Sequence, residues 1–215
     1  MFKRLLLILM LIPLTVAADQ SNAQSAQDNS NSGYKLLILG DSLSAAYNLK
    51  QEQGWVSLLQ NAWQGQGIAI VDGAISGETT EGGLARLPRI IKQHQPTHLL
   101  IELGANDGLR GHPINSMKKN LETMIQLAQQ DGIVVALQEM HIPPNYGRRY
   151  TNMFNSAFHE LGEQYNVPVV PFFLQDVALD KSLMQKDGLH PNAKAQPIIA
   201  RFMQPKLETW ILGAR

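Results

Sequence analysis

Three residues far apart in the chain have the types to build an activated nucleophile. Ser42 stands in Gly40-Asp41-Ser42-Leu43-Ser44, and Asp187 and His190 stand in Asp187-Gly188-Leu189-His190-Pro191. A serine hydroxyl is a weak nucleophile at neutral pH. It needs a base in contact and a third group that holds that base in one tautomer. Asp187 and His190 lie three residues apart on a turn made by Gly188 and fixed by Pro191, and they can supply both. The chemistry would be acyl transfer, which also needs fixed donors for a developing oxyanion. The candidates are the N–H of Ser42 at an expected helix start, the N–H of Gly77, where no side chain obstructs approach, and the side-chain amide of Asn106.

Each piece has a plainer role when taken alone. Ser42 or Ser44 could cap a helix, and Asp187 with Gly188 is an ordinary turn pair. Gly77 could end a strand, and Asn106 with Asp107 could bond its own backbone. The plain roles do not account for the joint pattern, which emerges from the elements that carry these residues.

Short apolar runs alternate with stretches of helical periodicity. Strands are expected at 35–39, 68–71, 98–103, 133–137 and 167–170. Helices are expected around Trp55, Leu58, Leu59 and Ala62; around Leu84, Leu87 and Ile91; and around Ile114, Met117, Leu121 and Ile125. Two more follow, around Phe154, Ala157, Phe158 and Leu161, and around Ile198, Ile199, Phe202 and Met203. Pro88 and Pro197 fall inside these helices and leave their boundaries open. Continuous apolar runs suit strands covered on both faces, and intervening helices suit parallel pairing. The expected fold is a three-layer α/β sandwich on a five-stranded parallel sheet. Sites in such sheets form outside the carboxyl ends of the strands. Ser42, Gly77, Asn106 and the Asp187–His190 turn follow the first, second, third and fifth strands, so all of them reach that edge.

These blocks together resemble those of the SGNH, or GDSL, hydrolase family. The blocks are Gly40-Asp41-Ser42-Leu43-Ser44, Gly77, Gly104-Ala105-Asn106-Asp107 and Asp187-Gly188-Leu189-His190. Similarity runs from Leu36 to the last helix, including Leu84-Ala85-Arg86-Leu87-Pro88 and Asn145-Tyr146-Gly147-Arg148-Arg149-Tyr150. It is strongest toward the branch whose members are described as acyl thioesterases, lysophospholipases and arylesterases. The resemblance implies a flavodoxin-like sheet, Ser42 attacking, His190 as base and then acid, and Asp187 orienting it. It also implies an oxyanion hole of Ser42, Gly77 and Asn106, with no metal and no cofactor. Ala105 stands where the branch often has glycine, and His141 where a close relative carries arginine.

Leu109, Met140, Ile142, Pro143, Pro144 and Tyr146 cluster after the third and fourth strands and could line a groove for an acyl chain, or merely cover the sheet end. Gly104, Gly108 and Gly111 suggest a mobile loop over the site. The expected substrate is a small acyl ester or thioester and the expected state a monomer. An O-deacetylase of carbohydrates would use the same residues. A non-catalytic anion binder would hold its ligand on the amides of residues 40–42, and a flavin-binding protein would need aromatic loops that are absent here.

The start of the chain reads as an address. Lys3 and Arg4, the apolar run Leu5–Val16, and Ala17-Ala18 follow the order of a secretory signal peptide cleaved near Ala18. The run is shorter than the ~20 residues of a membrane span. The expected location is therefore periplasmic or secreted, with no stable membrane span. Residues 19–33, rich in Ser, Asn and Gln, read as a flexible polar leader before a single domain over 34–215. Cleavage would leave 16 basic against 18 acidic residues, a net charge of −2. That balance gives no reason to expect a nucleic-acid partner. The chain has no cysteine, which excludes a thiol nucleophile, a disulfide framework and thiolate metal sites.

Overall fold

The computed structural model describes residues 33–213. The expected signal peptide and nearly all of the expected leader lie outside the described residues. Five strands run in the order β1 (Tyr34–Gly40), β2 (Ile68–Asp72), β3 (His98–Glu102), β4 (Val134–Gln138) and β5 (Val169–Val170). Among the described residues six α-helices separate or follow them: α1 (Trp55–Ala62), α2 (Thr80–His94), α3 (Ala105–Leu109), α4 (Ile114–Gln130), α5 (Arg148–Tyr165) and α6 (Gln196–Gly213). The strands pair in parallel in the order β2-β1-β3-β4-β5. This is the flavodoxin-like three-layer sandwich indicated by the sequence.

The side-chain alternation of a strand divides each apolar run between two cores. Leu37 and Leu39, with Leu99 and Ile101, pack against Leu87 of α2, Leu121 of α4 and Phe158 of α5. Leu36, Ile38 and Leu100 face the other way, onto Trp55 and Leu59 of α1 and Ile199 and Met203 of α6. Burying one such side chain contributes about 1.5 to 3 kcal/mol. The runs in β1 and β3 look continuous because both faces of the central strands are covered. β2, at the sheet edge, is largely half-buried.

Both doubtful prolines are inside helices. Pro88 sits on the exposed side of α2, and Pro197 is in the first turn of α6, where a missing N–H costs little. The fifth strand shortens to two residues, because Pro168 and Pro171 flank it and cannot donate to a ladder.

Two local expectations are corrected. No helix begins at Ser42: residues 42–48 form turns, with the Asp41 carbonyl accepting from Ser44 and Ala45 at 3.3 and 3.0 Å. Ala46 and Asn48 then take positive φ and stop propagation. The glycine-rich segment after β3 is not wholly loop but contains the short, largely buried helix α3. A Cβ on Gly108 would lie 2.7 Å from Ile142 and 2.8 Å from Phe154, so this glycine permits close packing.

The candidate active site

The strand order reverses between β1 and β3, so the loops leaving their carboxyl ends part and open a crevice. Ser42 enters it from β1. Asp41 shapes this turn with its own side chain, whose Oδ1 accepts the Leu43 amide at 2.9 Å. The indole of Trp55 donates to the Leu43 carbonyl at 3.1 Å and ties the turn to α1.

The imidazole arrives from the other end of the chain. Gly188 adopts a φ of 66°, and Asp187 Oδ1 accepts the amides of Leu189 and His190 at 2.9 and 3.0 Å. Asp187 Oδ2 lies 2.8 Å from His190 Nδ1, and His190 Nε2 lies 2.9 Å from Ser42 Oγ. The structure thus brings Ser42, His190 and Asp187 into one hydrogen-bonded line. With Nδ1–H donating to the carboxylate, Nε2 is left as the acceptor facing the hydroxyl. Partial burial pushes the Asp187 carboxyl up, but the amides of His190 and Leu189 and then the imidazole outweigh it. They hold it at about 2.

Gln185 couples this turn to the serine turn. Its amide donates to the Tyr47 carbonyl at 2.9 Å and the Pro191 carbonyl at 3.1 Å, while its backbone N–H donates to the His190 carbonyl. The Tyr47 ring lies over the imidazole with centroids 4.3 Å apart. Neither residue was singled out in the sequence, and neither carries a motif that could have drawn attention.

Ser42, Gly77 and Asn106 line the same cavity. Among the described residues, the amides of Ser42 and Gly77 have no acceptor. Gly77 has a φ of 79°, and its carbonyl is held by Arg110 Nη2 at 2.9 Å. Asn106 differs from the free donor expected: its Nδ2 already donates to Asp41 Oδ2 at 3.1 Å and to the Glu78 carbonyl at 2.9 Å. An oxyanion would have to share one of these N–H bonds. Asp107 does not bond its own backbone. It accepts the N–H and hydroxyl of Thr80 at 2.9 and 2.7 Å, locking α3 to α2.

The cavity holds about 560 Å³. Leu109, Ile142, Pro143 and Pro144 line it as expected, but two other proposed groove residues do not. Met140 is wholly buried in the core. Tyr146 is no lining residue, and its hydroxyl instead donates to the Leu109 carbonyl at 2.8 Å, bracing that residue from behind. Phe172, Leu174, Ala178, Leu179 and Met184, from a stretch with no helical or strand periodicity, also line it, together with Leu189 of the catalytic turn. His141 lies at the cavity edge, stacked on Phe172 with centroids 4.5 Å apart and paired with Glu139 at 2.9 Å. Among the described residues no cluster of His, Asp and Glu could hold a metal ion, and no helix is long and apolar enough to cross a membrane.

The model of the GDSL-like lipase/acylhydrolase family matches residues 38–197 of the chain. The chain belongs to this family. Among curated GDSL-family relatives, an arylesterase of Vibrio mimicus is 47% identical over 180 residues, 83% of this chain and 90% of that protein. The thioesterase 1/protease 1/lysophospholipase L1 of Escherichia coli K12 is 43% identical over 173 residues, 80% of this chain and 83% of its own length. The solved structure of the psychrotrophic esterase EstA from Pseudoalteromonas sp., inhibited by monoethylphosphonate, superposes with a TM-score of 0.81. It is 48% identical and the match covers 83% of this chain and 99% of EstA. As a member of the GDSL family, this chain is an ester-bond hydrolase.

Proposed function

We propose that the chain is an exported serine esterase and thioesterase that works through an acyl-enzyme on Ser42. The observation that carries this reading is the continuous line from Asp187 through His190 to Ser42 Oγ, with contacts of 2.8 and 2.9 Å. Such a line activates a hydroxyl without a cofactor. As Ser42 Oγ attacks the acyl carbon, His190 Nε2 takes its proton, and the resulting imidazolium is stabilised by Asp187. The amides of Ser42 and Gly77 and the Asn106 side chain hold the oxyanion. Collapse of this intermediate expels the alcohol or thiol, which receives the proton from His190. Water then attacks the acyl-enzyme, gives a proton to His190, and the released acid leaves Ser42 Oγ to recover that proton.

The apolar walls of the cavity favour acyl chains longer than acetyl, and this ranks an acyl esterase above an O-deacetylase. The relatives' arylesterase, thioesterase and lysophospholipase activities supply the substrate classes to test. Export rests on residues 1–18, with their basic start, apolar run and small residues before the cleavage point. The deciding experiment is a substrate profile on protein beginning near Asp19, with p-nitrophenyl esters of increasing length and with acyl-CoA. Rates that peak on medium or long chains and include the thioester support the reading. Activity confined to acetyl esters would favour the deacetylase.

A further inference from the structure

Behind the nucleophile turn lies a carboxyl group that the acyl-enzyme cycle does not use. Glu102, the last residue of β3, is fully buried and follows the apolar residues Leu99, Leu100 and Ile101. Its Oε2 accepts the Ser44 hydroxyl at 2.6 Å and the Asp41 amide at 3.1 Å. A Cβ at residue 40 would stand 2.5 Å from that oxygen, so Gly40 is what lets the carboxyl reach the turn. The other oxygen, Oε1, is buried and receives no donor from any described residue. Asp41 is also buried, its backbone N–H is bonded to Glu102, and the two carboxyl groups lie close enough for each to act on the other's protonation. Among the described residues no Lys, Arg or His forms an ion pair with either acid. The charged groups that face Asp41 are His190 from the catalytic turn and Asp107 from α3.

Two carboxyl groups in contact, away from water and without a cation, cannot both be ionised; they share a proton. The proton belongs on Glu102. Asp41 has donors for both oxygens, Leu43 N–H on Oδ1 and Asn106 Nδ2 on Oδ2, and these favour its charge. Burial and the Asp41 charge, in that order, push Glu102 well above the usual carboxylate range, while burial raises Asp41 to about 6.

We propose that Glu102 is a positioning residue of the esterase: as a neutral acid it donates a hydrogen bond to the Asp41 carboxylate, which in turn holds the Asn106 and Leu43 N–H groups that fix the oxyanion site. This inference rests on the Ser42 acyl-enzyme reading. Glu102 touches no substrate. Its effect passes through Asp41 to Asn106, so it acts on the transition state and appears in kcat rather than KM.

The test compares Glu102→Gln with Glu102→Ala. A glutamine is neutral, accepts from Ser44 and the Asp41 amide through its oxygen, and donates to Asp41 through its nitrogen. It should keep kcat within about threefold, whereas alanine should lower kcat by about 10-fold to 100-fold at nearly constant KM, the effect of one hydrogen bond to a charged group. Infrared difference spectra at mildly alkaline pH, wild type minus Glu102→Gln, should show the carbonyl stretch of one protonated carboxyl group. This measurement decides the matter even where the alanine variant fails to fold. Loss of activity in Glu102→Gln equal to that in alanine, a folded alanine variant with full kcat, or absence of the protonated band would each overturn the proposal. Fluorophosphonate labelling of wild-type Ser42, run in parallel, separates the two layers. An unlabelled wild type refutes the acyl-enzyme reading, while a labelled wild type with contrary Glu102 results refutes only the role of Glu102.

Discussion

The Asp187 carboxylate accepts both the backbone amide and the ring N–H of the same residue, His190, at 3.0 and 2.8 Å. One carboxylate thus folds the turn that presents the imidazole and selects its tautomer. The two jobs use different oxygens, Oδ1 for the backbone and Oδ2 for the ring.

That division predicts the behaviour of Asp187→Asn. An asparagine oriented to keep its oxygen on the two amides turns its NH₂ toward the ring and favours the wrong tautomer. We expect kcat to fall by about 10² to 10⁴ with a small change in KM, as when a triad carboxylate is neutralised in other hydrolases. Steady-state kinetics check this, and a loss below about tenfold would contradict the assigned role.

Acid stability follows from the same group. Asp187 is held at about 2 in the folded protein against an ordinary value of 3.8, so folding favours its charged form. Its contribution is present above about 4 and disappears as pH falls toward 2. The carboxylate is 40% exposed, so solvent screening makes the effect small. Denaturant midpoints measured across this window should fall less steeply in Asp187→Asn than in wild type.

Asp41 has the opposite sign. Its folded value is raised to about 6 by burial, so the folded state binds the proton more tightly than the unfolded chain does. Stability should therefore decline as pH rises from about 4 to about 6 and level off above. Asp41→Asn should remove that part of the slope, while lowering kcat through the Asn106 contact. Thermal unfolding at several pH values reads the first effect, and an unchanged slope would contradict it.

Asn106→Ala removes a donor held between Asp41 and the Glu78 carbonyl. The expected cost is about 10² to 10³ in kcat, typical of a single oxyanion donor, with the fold retained by circular dichroism. A change under about threefold would exclude Asn106 from the oxyanion site.

The apolar cavity makes a separate prediction. Ala178 lines the cavity that Ile142 also lines, so Ala178→Trp narrows it and should shift preference toward short chains. Each methylene excluded costs about 1 to 3 kcal/mol of discrimination, so kcat/KM for long p-nitrophenyl esters should fall by more than about tenfold relative to acetate. Equal losses on all chain lengths would place the acyl chain elsewhere.

Much of this arrangement is legible in the residues. The strands of Leu36–Leu39 and Leu99–Ile101 announce themselves as apolar runs, and the fold then forces whatever follows them onto one edge. Ser42, Asn106 and His190 are found that way. The lining from Phe172 to Met184 is not, because its turns carry neither helical nor strand periodicity. In the segment after β3, Gly104, Gly108 and Gly111 suggest freedom and hide the short helix, in which Gly108 lets Ile142 and Phe154 approach. Glu102 leaves a signal, an acid within the run His98–Leu103, but the second acid beside it, Asp41, comes near only through the pairing of β1 with β3.

The central claim is that Ser42 is the nucleophile and His190 its base. Reaction with a fluorophosphonate followed by peptide mass spectrometry tests it most directly. The account predicts one adduct, mapped to Ser42, absent in Ser42→Ala and formed at least about 10³-fold more slowly in His190→Ala, as expected for loss of a triad member. An adduct on another residue, or labelling of Ser42 at an unchanged rate without His190, would contradict it.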